Sequence, residues 1–202
     1  MSLNRRHLIV GSLAALVPVS AMAATNTKLD WVVGQIPDKP FDIDLINMEL
    51  VPEQYRRQVV PFSGTEPAGS IVVDAAQRFL YFVLMNGTAV RFGIAVGKQG
   101  AVWHGTAEVG RKAKWPGWTP TANMRNKNPK LPVHQVGGPR NPLGARALYL
   151  YRDGKDTMYR IHGTNDPSSI GKSVSSGCIR MFNENVFELF AEVKTGTRVT
   201  VR

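Results

Sequence analysis

Nucleophilic chemistry needs a group that can donate an electron pair and a neighbour that can take its proton. One stretch of this chain carries residue types suited to both roles. Arg160 to Met181 reads R-I-H-G-T-N-D-P-S-S-I-G-K-S-V-S-S-G-C-I-R-M; it holds His162 and, sixteen positions later, Cys178, the only cysteine among 202 residues. A free thiol has a pKa of ~8.5, so an adjacent imidazole is its usual activator. Gly177, just before the thiol, permits a tight turn and leaves room for a substrate carbonyl beside backbone N–H groups, an oxyanion hole. Arg180, two residues beyond Cys178, would project to the same side of a strand, where a guanidinium suits an acidic substrate group. On these residues alone two readings stand: a catalytic pair, or a buried apolar thiol with a histidine satisfied inside the core.

The elements that must position the pair follow from the surrounding pattern. Gly163, Pro167, Gly171 and Gly177 interrupt the stretch, so it cannot be a regular helix and reads as a strand, a long ordered loop and a turn presenting the thiol. From Gly69 onwards the chain reads as strands. Ser70–Asp74 is one; Arg78–Met85 and Thr88–Val96, joined by Asn86-Gly87, form a hairpin whose turn needs the positive φ angles that Asn-Gly supplies. Gly97–Gly100 reads as a second turn. Further strands are expected at Glu108–Lys114, Ala145–Arg152, Thr157–His162 and Thr197–Val201. Asn123–Lys130 has the makings of a helical turn. Leu131–Gly144 is a long Gly/Pro loop of the kind that lines binding sites. Phe182–Val193 has apolar residues at helical spacing, with Val186, Phe187, Phe190 and Val193 on one face and Asn183 as cap. The sum is a mostly β domain with one short C-terminal helix, over residues 67–202. Residues 24–66, punctuated by four prolines, read as an N-terminal extension that packs on it, since forty-odd residues cannot build a core of their own.

Residues 1–23 read as an export signal: Arg5-Arg6, an apolar run from Leu8 to Val19 too short to span a bilayer comfortably, and Ala21-Met22-Ala23 as a small-x-small cleavage site. The paired arginines also suit a twin-arginine route, although Asn4 stands where a Ser or Thr is usual. No later segment is apolar and long enough to span. A single cysteine in an exported chain permits no internal disulfide, which favours a functional thiol. The net charge is +10 with Gly 19 and Pro 13. The cations are scattered and no nucleic-acid-binding motif is present, so an anionic wall polymer or a carboxylate-bearing substrate fits the charge better than nucleic acid. Neither a metal nor another cofactor is expected: no Cys/His pair has short ligand spacing. His104 reads as an exposed strand or turn residue, and His134 as a loop residue able to line a cleft. Trp115 and Trp118 read as loop-packing aromatics.

H-G-T-N…S-x-G-C-I-R-M resembles the signature of the L,D-transpeptidase (YkuD-type) catalytic domain, and the resemblance runs from about Gly69 to Val201. I-A-V-G-K, W-P-x-W-T-P-T at Trp115–Thr121 and G-G-P-x-N-P-L-G-A-R-A-L at Gly137–Leu148 match the Gram-negative branch of that family. The resemblance implies a β-sandwich-like fold and a periplasmic cysteine acyltransferase acting on peptidoglycan stem peptides. In that family the thiol displaces D-alanine from the third residue of a stem, and an amine of a second stem resolves the thioester as a 3→3 cross-link. Water in place of the amine gives an L,D-carboxypeptidase; a protein amine attaches an outer-membrane protein to the wall. It further implies Cys178 as nucleophile, His162 as general base and acid, the Gly163 carbonyl as the group orienting the imidazole, and Gly177 in the oxyanion hole. Arg180, Thr164, Asn165 and Ser176 would shape the donor site. Ser176 departs from the pattern, since many members have a second histidine there. A carbapenem adduct on the thiol is expected. Two other readings are a non-catalytic wall-binding module and a sortase-like or papain-like protease; the Cys, His and Arg spacing argues against both proteases.

Overall fold

The computed structural model describes residues 31–98, 103–175 and 177–202. The export-signal reading, the Gly97–Gly100 turn beyond Lys98 and the departure at Ser176 lie outside these residues. In chain order the strands are β1 (Val32–Ile36), β2 (Ile43–Ile46), β3 (Gln58–Pro61), β4 (Ile71–Asp74), β5 (Phe79–Val83), β6 (Thr88–Gly93), β7 (Val96–Gly97), β8 (Gly105–Lys114), β9 (Arg146–Arg152), β10 (Lys155–His162), β11 (Ser173–Ser175), β12 (Ile179–Arg180) and β13 (Arg198–Val201). The helices are α1 (Ala122–Lys127) and α2 (Asn183–Glu192).

Nine strands form one sheet in the order β12-β10-β9-β8-β13-β4-β5-β6-β3. Its two flanks are local in origin. Asn86 and Gly87 have φ of 64° and 67°, as the Asn-Gly turn predicts, and they set β5 against β6 from Phe79↔Gly93 to Val83↔Ala89. Asp153 and Gly154, with φ of 50° and 71°, do the same between β9 and β10. The closing strand β13 then inserts between β8 and β4, antiparallel to one and parallel to the other. Ile71, Leu80, Phe92, Val109, Leu150, Ile161 and Val199 from both halves of the sheet share one apolar core with Val186 and Leu189 of α2. The fold is thus mostly β, as expected, with α2 as its one sizeable helix.

One detail differs from the sequence reading and a second adds to it. Asn183 does not cap α2; Phe182 occupies that place without a side-chain bond, and Asn183 uses its amide elsewhere. Its Oδ1 accepts from the N–H groups of Ala145 (3.0 Å) and Thr164 (3.1 Å), and its Nδ2 donates to the Thr164 carbonyl (2.8 Å). A Cβ on Gly163 would lie 2.1 Å from that Oδ1 and one on Gly144 2.2 Å from it, so the three segments meet where only glycine fits. The other end of α2 is closed by Lys112, which donates to the carbonyls of Phe190 and Val193, a cation where the helix dipole favours one.

The second detail is how deeply residues 31–66 are built into the body. β3 pairs with β6 as the outer strand of the main sheet. Val51 and Tyr55 form a second apolar cluster with Ala95, Ile170 and Phe182, while Ile43 packs with Trp115 and Ala145. Asp38 accepts from Trp115 Nε1 and pairs with the Arg146 guanidinium, both at 2.8 Å.

Candidate active site

β10 runs between β9 and β12 and ends at His162. The imidazole is 4% exposed, and its Nδ1 lies 2.6 Å from the carbonyl oxygen of Gly163. A carbonyl only accepts, so Nδ1 carries the proton and Nε2 keeps its lone pair. Burial lowers the pKa of the ring to about 4; the bond to Gly163 opposes that shift, and the Arg180 and Arg160 cations add to it. At neutral pH this is an uncharged base with a fixed tautomer.

Cys178 follows Gly177, whose φ is 132°, and directly precedes β12. That short strand is held on both sides. It pairs in parallel with β10, with Ile179 opposite Ile161, and Arg180 exchanges two backbone hydrogen bonds with Ala95. The thiol points to the Met158 carbonyl oxygen at 3.9 Å. Burial pushes its pKa up, while a backbone bond at Arg160 and the Arg160 and Arg180 cations pull it down. The resting thiol is therefore protonated. Both members of the pair are neutral at rest, so a thiolate would form as the proton passes to imidazole during attack rather than beforehand.

The carbonyl that meets the thiol comes from a bulge. Between Asp156↔Tyr151 and Arg160↔Tyr149, β10 carries two more residues than β9, and Met158 sits there with φ of 62° and 64% exposure. The bulge is fixed from several sides. Met158 N–H donates to Asp156 Oδ1 (2.8 Å), Asp156 pairs with Arg160 (2.7 Å), and Thr157 Oγ1 donates to the Leu150 carbonyl (2.7 Å). Bulges beside active sites commonly re-aim a group in this way. The sequence reading passed over it; the one available signal was Asp156 and Arg160 four apart in a strand, where both fall on one face.

His162, Gly177, Cys178 and Arg180 line one open cleft of about 960 Å³. Five cationic side chains border it, Lys98, Arg111, Lys127, Arg160 and Arg180, and no carboxylate does among the described residues. Arg180 has its Nε buried without a hydrogen-bond partner among them. Trp118 lines the cleft, whereas Trp115 is buried in the body. Thr164 and Asn165 stand apart from this cleft and border a void of about 20 Å³ beside Asn183. Thr164 is buried and exchanges hydrogen bonds with Asp166, and Asn165 donates to the Arg140 carbonyl. His104 and His134 are exposed and do not line the cleft; His134 Nδ1 lies 2.9 Å from Thr119 Oγ1. Among the described residues no three His, Cys, Asp or Glu side chains gather as metal ligands would.

Residues 68–201 match the family model of the L,D-transpeptidase catalytic domain. A probable L,D-transpeptidase of Escherichia coli K12, ErfK/SrfK, is 40% identical over 140 residues, which is 65% of this chain and 43% of that protein; this chain thus matches less than half the length of that relative. A crystal structure from Brucella melitensis, described as a probable carnitine operon oxidoreductase, is 46% identical with a TM-score of 0.51, covering 75% of this chain and 96% of that one. A crystal structure of an Enterococcus faecium L,D-transpeptidase mutant is 19% identical with a TM-score of 0.52, covering 67% of this chain and 50% of that one, and shares the fold.

Proposed function

The chain belongs to the L,D-transpeptidase catalytic-domain family, and from that premise we propose that it is a cysteine acyltransferase of peptidoglycan stem peptides, with Cys178 as nucleophile and His162 as general base and acid. The observation that carries this reading is the single-tautomer, uncharged imidazole sharing an open cleft with a protonated thiol. The Cys178 sulfur attacks the carbonyl carbon between the third and fourth residues of a donor stem. An S–C bond forms, the thiol proton passes to His162 Nε2, and the backbone N–H groups at Gly177 and Cys178 receive the oxyanion. The C–N bond then breaks, D-alanine leaves with the proton from imidazolium, and a thioester remains. An acceptor amine attacks that thioester and gives its proton to His162, and the sulfur leaves and is reprotonated. The Gly163 carbonyl keeps the ring oriented and stabilises its charged form in passing.

The cationic lining suits a peptide rich in carboxylates, and Arg180 shares the cleft with the thiol. Thr164 and Asn165 act from behind, through the backbone that carries His162 and Gly163, and Ser176 stands two residues before the thiol in sequence. A stem amine as acceptor yields a 3→3 cross-link; water or a protein amine yields a shortened stem or a tethered protein from the same thioester. The reading of residues 1–23 as an export signal, before an extension at 24–66 and a catalytic domain at 67–202, supports a periplasmic setting for this reaction. No helix among the described residues is long and apolar enough to cross a membrane.

The test is intact mass and product analysis of the same protein. Wild type incubated with a carbapenem gains one adduct, on Cys178, and with tetrapeptide-bearing muropeptides it releases D-alanine. Cys178→Ala does neither. Product formed by Cys178→Ala, or a wild type inert to both reagents, overturns the proposal.

A further inference from the structure

β8, β9 and β10 carry a row of side chains at matched register: Arg111 opposite Tyr149, and Tyr149 opposite Arg160. The Arg111 guanidinium lies 3.4 Å from the Tyr149 ring centroid and that of Arg160 4.3 Å from it. The strands lie on either side of β9, so two cations flank one ring. Their surroundings differ. Arg160 is held by both oxygens of Asp156. Arg111 is exposed, and among the described residues it makes no ion pair. All three side chains line the cleft that holds the thiol, and Lys127 lines it too.

The row also has a fixed distance from the chemistry. The register that sets Ile179 opposite Ile161 brings Cys178 level with Arg160, so Cys178, Arg160, Tyr149 and Arg111 lie on successive neighbouring strands. Three spacings of ~4.8 Å put Arg111 about 14 Å from Cys178. An extended peptide advances ~3.3 Å per residue, and the Arg111 side chain leans back over Tyr149. A carboxylate held there lies roughly 10–14 Å from the thiol, in reach of the residues upstream of the carbonyl under attack together with their side chains.

We propose that Arg111, mounted on Tyr149 beside the neutralised Arg160, is a carboxylate subsite that selects donor peptides by an acidic group upstream of the bond attacked. Tyr149 fixes the guanidinium by cation–π contact and leaves its N–H edge for a bidentate partner. Asp156 quenches Arg160, so the uncompensated charge of the row is the one at Arg111. This subsite takes its ligand class from the acyl-transfer reading, but it is distinct from Arg180 and the thiol end of the cleft.

Binding to the Cys178→Ala protein tests it without requiring turnover. Two synthetic stem tetrapeptides serve as ligands, one with its free upstream carboxylate and one with that group amidated. The free acid binds roughly tenfold or more tightly, the range of a charge-assisted hydrogen bond. Adding Arg111→Gln removes the difference, and Arg111→Lys keeps part of it. Equal affinities in the parent, a preference that survives Arg111→Gln, or no binding of either peptide at millimolar concentration overturns the subsite. D-alanine release by wild type, measured separately, reports on the acyl-transfer reading alone.

Discussion

Two arginines on adjacent strands use an aromatic ring in opposite ways. Arg146, at the start of β9, is 1% exposed, bonds to Asp38 at 2.8 Å and to the Ala145 carbonyl, and lies against Phe187 and Phe190. Arg111, on β8, stacks on Tyr149 but faces the cleft with its charge unanswered. The first has its charge answered, although its Nε is buried without a hydrogen-bond partner among the described residues: its carboxylate partner is 108 residues away in sequence and held below the usual carboxylate range by that bond. The second is open, and the missing partner is a ligand. The contrast teaches that a buried, matched cation reports on how the amino-terminal segment is attached, whereas an accessible, unmatched one on the same sheet reports on what the cleft is for.

The largest effect that would break the contrast is at the closed site. Asp38→Ala leaves a buried guanidinium without its anion and should cost about 3–5 kcal/mol in urea unfolding. Replacing the pair together, Arg146→Met with Asp38→Leu, should recover most of that loss; if both variants are equally unstable, pairing is not what Asp38 contributes. A buried group that stays neutral offers a third case. The folded pKa of His162, about 4, lies below its unfolded value of 6.5. Between those values the unfolded chain binds more protons, so stability falls as pH drops from 6.5 towards 4, by about 3 kcal/mol in all. Comparing wild type with His162→Gln at pH 7 and pH 4.5 isolates this contribution, and the same ring places the acid limb of activity near pH 4 rather than 6.5. The smallest effect belongs to the open site: Arg111→Gln should move stability by less than about 0.5 kcal/mol. A larger loss would make Arg111 a structural residue like Arg146.

Local signals were legible in the sequence. Asn86-Gly87 placed a hairpin, the spacing of Val186 and Val193 placed α2, and His162 and Cys178 stood out because the chain has one thiol and a Gly-rich loop between them. What could not be read depends on alignment across strands. Arg111, Tyr149 and Arg160 become neighbours only once β8, β9 and β10 take their register, and 38 and 11 residues separate them along the chain. The Met158 bulge is a two-residue mismatch between strands, with no motif of its own. Residues 24–66 read as an extension packing on the domain because prolines punctuate it, but no local pattern shows that β3 completes a sheet whose other members begin at Ile71. Asn183 was assigned to capping because a local bond is the simplest use of an asparagine at a helix start; here the distant backbone of Ala145 and Thr164 outcompetes it.

That asparagine ties the seat of the imidazole to a residue beyond Cys178 in the chain. Gly163 offers its carbonyl to His162 from a backbone clamped between Gly144 and the amide of Asn183. While the chain is still being made or threaded, the residues up to Cys178 can emerge with the thiol present and no seat for the imidazole. The backbone clamp beside Gly163 is complete only with Asn183 in place at the start of α2. On the proposed acyl-transfer assignment, reactivity is thus expected to require the residues beyond Cys178 as well as the thiol itself.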